Sequence, residues 1–277
     1  MPTAPPGPRP DRLSALLQRF DLQARVFRAG PVCGSLLADG DDAELHLLRA
    51  GRLTISDASG PPITLDEPAA VFYPRPLAHR LQAEDEDGAD LVCARVHFGA
   101  GDENPLLRHL PPRLVVPLSR VPALRPTLEL LFDEAFARRC GHAGVVDRLA
   151  EVLLVQLLRH AIAERLVDGG LVAGLSDERL ARAIAALHAE PQRPWTLDAM
   201  AAAAGMSRAR FAARFNAVVG LPPGEYLTQW RLGLARTLLR RGRPVKQVAM
   251  DVGYGSASAL ARVFRQRLGV SPARADG

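Results

Sequence analysis

The sequence predicts an α+β chain in two parts. The first is an antiparallel β-sandwich or barrel with helices at its end; the second is an all-α domain of two helix-turn-helix motifs joined by a long helix. Three observations predict it. From Ala24 to Gly99 apolar residues alternate with a period of two, in short runs cut by Gly, Pro and Asp clusters, the pattern of a sandwich or barrel. From Asn104 the apolar spacing lengthens to that of helices. Near the end of the 277-residue chain one stretch occurs twice, as in a duplicated supersecondary unit.

Taken in order, the chain opens on MPTAPPGPRP, five prolines in ten residues with no apolar run. Residues 1–10 are therefore expected to be a disordered leader, neither signal peptide nor membrane anchor. Asp11 to Phe20 reads as a short helix with Leu13, Leu16 and Leu17 apolar. The strands expected next are ARVFRA, VCGSLLA, AELHLLR, RLTIS, AAVFYP, HRLQA and ADLVCARVHF, separated by AGP, DGDD, AG, SGPP, DEP, PRP and EDEDG. Beyond them Leu124, Leu128, Leu131 and Ala135 follow a four-three-four spacing. Val145 to Leu166 forms a second helix, apolar nearly all round at VLLVQLL. Such a helix is buried, either against the sheet or in a subunit interface, so self-packing and a homodimer both stay open. Asp168 to Gly174 carries three glycines and reads as a linker. The domains expected are 11–167 and 178–277, with the linker over 168–177.

The first copy of the repeat, LDAMAAAAGMSRARFAARFNAVVGLPP, runs from Leu197 to Pro223; the second, VKQVAMDVGYGSASALARVFRQRLGVSP, runs from Val245 to Pro272. Ala201 and Gly205 recur 48 residues later as Ala249 and Gly253, and Phe215, Gly220 and Pro223 recur 49 residues later as Phe264, Gly269 and Pro272. Each copy reads as helix, tight turn, helix. Glycine suits the positive φ that closes such a turn, and the small alanine four residues earlier lets two helices cross closely. Ser207 is placed to cap the helix that follows. This is the packing of a helix-turn-helix, whose second helix enters the DNA major groove. Between the copies, Pro222 and Pro223 open a helix. Its buried face is Tyr226, Leu227, Trp230, Leu234, Leu238 and Leu239, and Gly242 ends it. At 1.5 Å per residue it is a rod of roughly 28 Å, close to the roughly 34 Å between successive major-groove faces.

Helical periodicity also assigns the groove-facing residues. In the first recognition helix Phe211, Phe215 and Val218 form the buried stripe. The opposite face shows Ala209, Ala213 and Asn216, with Ala212 at its flank. Alanine can touch a thymine methyl but cannot hydrogen-bond a base edge. Arg208, Arg210 and Arg214 lie off that face and suit phosphates, which position without reading sequence. In the second helix Leu260, Phe264 and Leu268 face inward. Ser258, Arg262 and Arg265 face out, with Gln266 beside them and Ser256 at the helix head. Charge agrees: 178–277 holds 16 Arg and Lys against 6 Asp and Glu, while 1–177 holds 19 against 24. A basic third on an acidic remainder is the footprint of a polyanion-binding module.

GMSRARFAARFNAVVGLPPGEYL and VAMDVGYGSASALARVFRQRLGVSP resemble the DNA-binding domain of AraC-type transcription regulators, over roughly Leu180 to Pro272. The family continues past its Ser-Pro pair with Tyr-Arg, where this chain has ARADG. The strand order and the segment PRPLAHRL resemble the small jelly-roll, cupin-like sensor domain often found ahead of that DNA-binding domain. The resemblance implies double-stranded promoter DNA and RNA polymerase as partners, and an apolar pocket for a small ligand. Matched to the family's motif, Ser258 and Arg262 fall where DNA contacts are expected.

Cupin-like enzymes hold a metal with a His-x-His pair, a following Glu and a later His. Here His46 stands alone in ELHLL, and His79 and His97 are single too, so the chain is expected not to be an enzyme and no cofactor is assigned. The sensor candidates are Cys33, His46, His79 and Cys93. Cys93 and His97 are four strand residues apart, about 13 Å at 3.3 Å each, so they cannot share a metal. A metal site would have to join Cys33 or Cys93 with His46 or His79, and thiolate with imidazole suits zinc or copper. A Cys33–Cys93 redox pair and two inert core cysteines are the other readings. Cys140, between two helices, is expected to be an exposed thiol.

An odd number of cysteines suits a reducing cytoplasm, and no apolar run of eighteen residues is present to span a membrane. The chain is thus expected to be a one-component regulator that senses a signal in its first domain and binds a promoter with its second. Two rivals stay open: a cupin-type metal enzyme carrying a DNA-binding domain, and a DNA-binding protein without a sensing role. The signal, the operator and the sign of regulation are not written in the sequence.

Overall fold

The computed structural model describes residues 11, 13–19, 22–83, 88–98, 107 and 110–272. The expected leader at 1–10, the turn at 84–87, the onset of helix at Asn104 and the ARADG tail lie outside the described residues. The chain forms two units: a β unit over 22–98 and 110–164, and a helical unit that joins the N-terminal helix α1 (Ser14–Arg19) to 165–272.

The β unit contains β1 (Leu22–Val32), β2 (Ser35–Ala38), β3 (Ala43–Ala50), β4 (Leu53–Asp57), β5 (Gly60–Leu65), β6 (Ala69–Tyr73), β7 (His79–Ala83), β8 (Ala89–Phe98) and β9 (Leu114–Pro117). They make a five-stranded sheet in the order β1-β8-β3-β6-β9 and a four-stranded sheet in the order β2-β7-β4-β5; the pairings are antiparallel. Alternation along each strand sends one side-chain set inward. Leu48, Leu53, Ile55, Val71, Leu81 and Leu91 meet there in one apolar core. Two strands differ from the sequence reading. SGPP was expected as a turn, yet β5 carries both its prolines, and β9 ends in Pro117 within a region expected to be helical. Both strands sit at sheet edges, where a missing N–H on the outer side leaves no ladder bond unmade.

Helices α2 (Arg125–Ala137) and α3 (His142–Ala163) complete the unit. β1 is an edge strand whose outer N–H groups need partners. Asp147 and Glu151 of α3 supply them, accepting from Val26 N at 2.7 Å and Ala24 N at 3.2 Å. Leu153, Leu154, Leu157, Leu158 and Ala161 of α3 are buried, so self-packing accounts for its apolar face, while Val145 and Val152 remain exposed.

The helical unit contains α4 (Gly170–Ser176), α5 (Glu178–Ala189), α6 (Leu197–Ala204), α7 (Arg208–Val219), α8 (Pro223–Arg240), α9 (Val245–Asp251) and α10 (Ala257–Leu268). The expected linker is a correction: most of 168–177 is α4, with Leu171, Val172 and Leu175 buried. A Cβ at Gly174 would meet Ile184 at 2.7 Å and Val219 at 3.0 Å, so here glycine serves close helix packing rather than flexibility. Leu16 of α1 and Leu13 just before it are buried, and α1 packs on α5. Two aromatic and aliphatic cores flank α8. Phe211, Phe215, Tyr226 and Trp230 are buried on the side of the first motif. Leu232, Leu239, Val248, Leu260 and Phe264 cluster on the side of the second.

Candidate nucleic-acid interface and a buried polar cluster

The two turns of the repeat close with the same bond. Gly205 and Gly253 have φ of 63° and 85°. Met206 N donates to Ala201 O at 3.0 Å and Tyr254 N to Ala249 O at 2.8 Å, the six-to-one bond of a left-handed helix terminus. Ala201 and Ala249 are buried, as close helix crossing demands. Ser256 caps α10, accepting from Ala259 N at 3.1 Å. Ser207 occupies the matching position before α7 but makes no capping bond, a correction: at an exposed terminus water competes for a hydroxyl, and one such bond nets only about 1 kcal/mol. The stripe of α7 is Phe211, Phe215 and Val219, with Val218 half-buried, because the i, i+4, i+8 line turns toward 219.

Outward from these stripes, Ser207, Arg208, Ala209, Arg210, Ala213 and Asn216 are exposed and Ala212 is half-buried. Ser256, Ser258, Arg262 and Arg265 are exposed on α10. The arginines of α7 differ from those of α10. Arg208 pairs with Asp198 at 3.4 Å, and Arg214 Nε donates to Asp177 at 2.6 Å. Neither Arg262 nor Arg265 has an ion pair among the described residues. Two further arginines that charge counting treats alike are structural. Arg182 donates to Ala204 O at 3.1 Å, beside the first turn; Arg231 donates to Pro191 O and Arg193 O, both at 2.8 Å, beside the second.

Inside the β unit, strand register gathers a polar cluster. His46 of β3 stands opposite Cys93 of β8, and Glu44 opposite Tyr73 of β6 and Arg95 of β8. β7 adds His79 from the other sheet. Glu44, His46 and His79 are all buried. His46 Nε2 and His79 Nε2 face each other at 2.7 Å. Glu44 Oε2 lies 3.3 Å from the first and 3.7 Å from the second. His79 Nδ1 meets Leu77 O at 2.7 Å, and Tyr73 stacks on the same ring at 4.0 Å between centroids. The Tyr73 hydroxyl donates to Asp57 at 2.6 Å, and Arg113 pairs with the same carboxylate at 2.5 Å.

Electrostatics divides the two imidazoles. Burial would hold His46 neutral, but the Cys93 thiol and the Glu44 carboxylate beside it raise its pKa to about 9. Burial lowers the pKa of His79, and the charge on His46 lowers it further. Glu44 would be raised by burial but is held below the usual carboxylate range by His46, His79 and Arg95.

Of the four sensor candidates, the structure brings three together and leaves one out. Cys33 is exposed. It follows Val32, which pairs with Ala89, whereas Cys93 pairs with Arg28. Five strand steps separate the two cysteines, about 16 Å, so a Cys33–Cys93 disulfide and a metal shared by Cys33 with the histidines are both ruled out by register. Cys140 is exposed, as expected of a loop thiol. Glu44 was missed. Its signal was present in ELH, where the period of two places a carboxylate on the inward face beside His46.

Residues 11–163 match the cupin family, and residues 200–276 match a helix-turn-helix domain family. An AraC-like transcription regulator of Streptomyces antibioticus is 34% identical over 247 residues, 86% of this chain and 81% of that protein. An HTH-type transcriptional regulator of Haemophilus influenzae is 30% identical over 261 residues, 85% of this chain and 86% of its own length. Among solved structures, that of ToxT from Vibrio cholerae O395 aligns with 92% of this chain and 96% of its own at 12% identity, with a TM-score of 0.40. No described helix is long and apolar enough to cross a membrane. With a cupin domain, a duplicated helix-turn-helix and relatives of this identity over most of its length, the chain belongs to the AraC-like transcription regulators.

Proposed function

We propose that the regulator reads its promoter unequally, with α10 making the hydrogen-bonded base contacts and α7 supplying shape and phosphate contacts. The observation that carries this is the contrast between the two exposed faces. On α10, Ser258, Arg262 and Arg265 stand exposed; on α7, Ala209 and Ala213 occupy the corresponding face while Arg208 and Arg214 are engaged by Asp198 and Asp177. Arginine forked onto guanine is the commonest specific base contact, worth roughly 1–3 kcal/mol. The cupin unit receives the signal, the chain acts on RNA polymerase in the cytoplasm without catalysing a reaction, and a second copy pairs with it on DNA. Membership of the family supports these roles, and the exposed Val145 and Val152 of α3 support the pairing.

The test uses Arg262→Ala and Ala213→Gly on an operator obtained by selecting bound sequences from random duplexes, and on a scrambled duplex, at one salt concentration. Arg262→Ala is expected to weaken operator binding by about 1–3 kcal/mol and scrambled binding by less, flattening preference at one or two base pairs. Ala213→Gly is expected to change the ratio little. Equal weakening on both duplexes by Arg262→Ala would reduce that residue to a phosphate contact and refute the asymmetry.

A further inference from the structure

The polar cluster in the β unit has a property that core packing does not explain. Three atoms able to ligate a metal, His46 Nε2, His79 Nε2 and Glu44 Oε2, converge on one point inside a core that is otherwise aliphatic apart from Tyr73 and Cys93. Glu44 Oε2 is buried yet accepts no well-aligned hydrogen bond among the described residues, although a buried polar atom without a partner is costly. One proton between the two imidazoles satisfies two of the three atoms and leaves the carboxylate oxygen over. A cation at the centre would satisfy all three.

The dimensions suit such an ion. Sides of 2.7, 3.3 and 3.7 Å define a triangle whose corners each lie about 2 Å from a common centre, the length of a zinc–nitrogen or zinc–carboxylate bond. The orientation of His79 is set from outside. The Leu77 carbonyl takes the Nδ1 proton of His79, which aims the Nε2 lone pair inward, as outer partners of metal-bound histidines do. The Tyr73 ring, held by Asp57 and Arg113, fixes the plane of that imidazole. Two imidazoles and one carboxylate suit a divalent first-row transition ion rather than calcium or magnesium, which take oxygen ligands. Zinc, with no geometric preference of its own, tolerates the unequal sides.

The geometry points to a metal site formed by Glu44, His46 and His79 that binds one divalent first-row transition ion per chain, with zinc the ion it fits. It is not the His-x-His arrangement absent from this sequence. One histidine sits two residues after the carboxylate on the same strand, and the other comes from the opposite sheet. Three ligands leave a coordination position for water or a small anionic ligand, inside the domain where the family places its signal.

The experiment uses the full chain, stripped with a chelator and titrated with zinc against a chromophoric competitor. Cobalt in place of zinc reports the ligand field by visible absorption. Wild type is expected to take up one ion. Glu44→Gln, neutral and nearly isosteric, and His79→Ala are each expected to weaken binding by more than about 100-fold, beyond the 10–100-fold that outer partners contribute, and to lose the cobalt bands. His97→Ala, at an exposed position on β8, is expected to bind as wild type. Thermal melts check the fold of each variant; should His79→Ala fail to fold, Glu44→Gln decides. Absence of stoichiometric binding, or a Glu44→Gln variant that binds as wild type, overturns the site. Operator binding by the stripped protein is measured in parallel, so failure of the metal site is told apart from failure of the DNA reading.

Discussion

A methyl group placed on Gly253 would lie 2.9 Å from the Cα of Gln192 and 2.7 Å from the guanidinium of Arg231, whereas one on Gly205 would meet only the tip of Arg182 at 3.4 Å. Both glycines have positive φ, so alanine at either is strained by roughly 1–2 kcal/mol. At Gly253 the overlap with backbone adds roughly 1–3 kcal/mol. Gly253→Ala is therefore expected to lower the urea midpoint of the helical unit more than Gly205→Ala; equal losses would show that the Gln192 backbone relaxes without penalty. The repeat made the two glycines look equivalent. Their difference, and the structural use of Arg182, Arg214, Arg231 and Arg267, were not legible, because a charge count cannot tell an arginine aimed at DNA from one bonded to a neighbouring helix.

Among the elements, α5 shows how a helix terminus joins two parts of the DNA-binding unit. Asp177 caps it, accepting from Arg179 N at 2.9 Å and Leu180 N at 3.0 Å, and also from Arg214 of α7 at 2.6 Å. Burial would raise the Asp177 pKa, but the capping N–H groups and the guanidinium hold it below the usual carboxylate range. A depressed folded-state pKa means stability that is present above the unfolded value of about 3.9 and lost as pH falls through the folded value. Asp177→Ala is expected to cost about 1–2 kcal/mol at neutral pH. Asp177→Asn, which keeps the cap and loses the ion pair, is expected to cost less. In urea unfolding both differences should narrow below about pH 4; an Asp177→Ala difference unchanged to pH 3 would show that the carboxylate charge contributes nothing. The helices other than α4 were readable from the sequence because capping residues, turn glycines and apolar stripes are local. β5 and β9 were not, because their prolines are tolerable only at a sheet edge, and edge position is a property of the whole sheet.

For the molecule as a whole, the boundary of the DNA-binding unit is a consequence of packing rather than of composition. Removing α4 would delete Leu171, Val172 and Leu175, all buried in the unit, and bare the surfaces of α5 and α7 that they cover, at roughly 1.5–3 kcal/mol for each lost side chain. A fragment spanning 165–277 is expected to fold and to bind DNA with a log–log salt slope of about −0.9 per phosphate contact. A fragment starting at 178 should melt at lower temperature and bind more weakly. Equal melting temperatures would return 168–177 to the role of linker, and a slope near zero for the longer fragment would remove the electrostatic basis of DNA binding.

The sequence by itself determined the class of each half, the duplicated helix-turn-helix with its turn glycines, and the exposed faces of both recognition helices. These rest on periodicity and turn chemistry within single elements; the residues expected on the outer faces are exposed apart from half-buried Ala212, while the inner stripe of α7 runs to Val219 instead of Val218. Tertiary structure alone decided three other matters. It joined His79 to Glu44 and His46, separated Cys33 from Cys93, and turned a glycine-rich linker into a packed helix. The physical reason is the same in each case. Which side chains meet across two sheets or between two helices is set by register and packing among segments tens of residues apart, and no local pattern of residue types carries that distance.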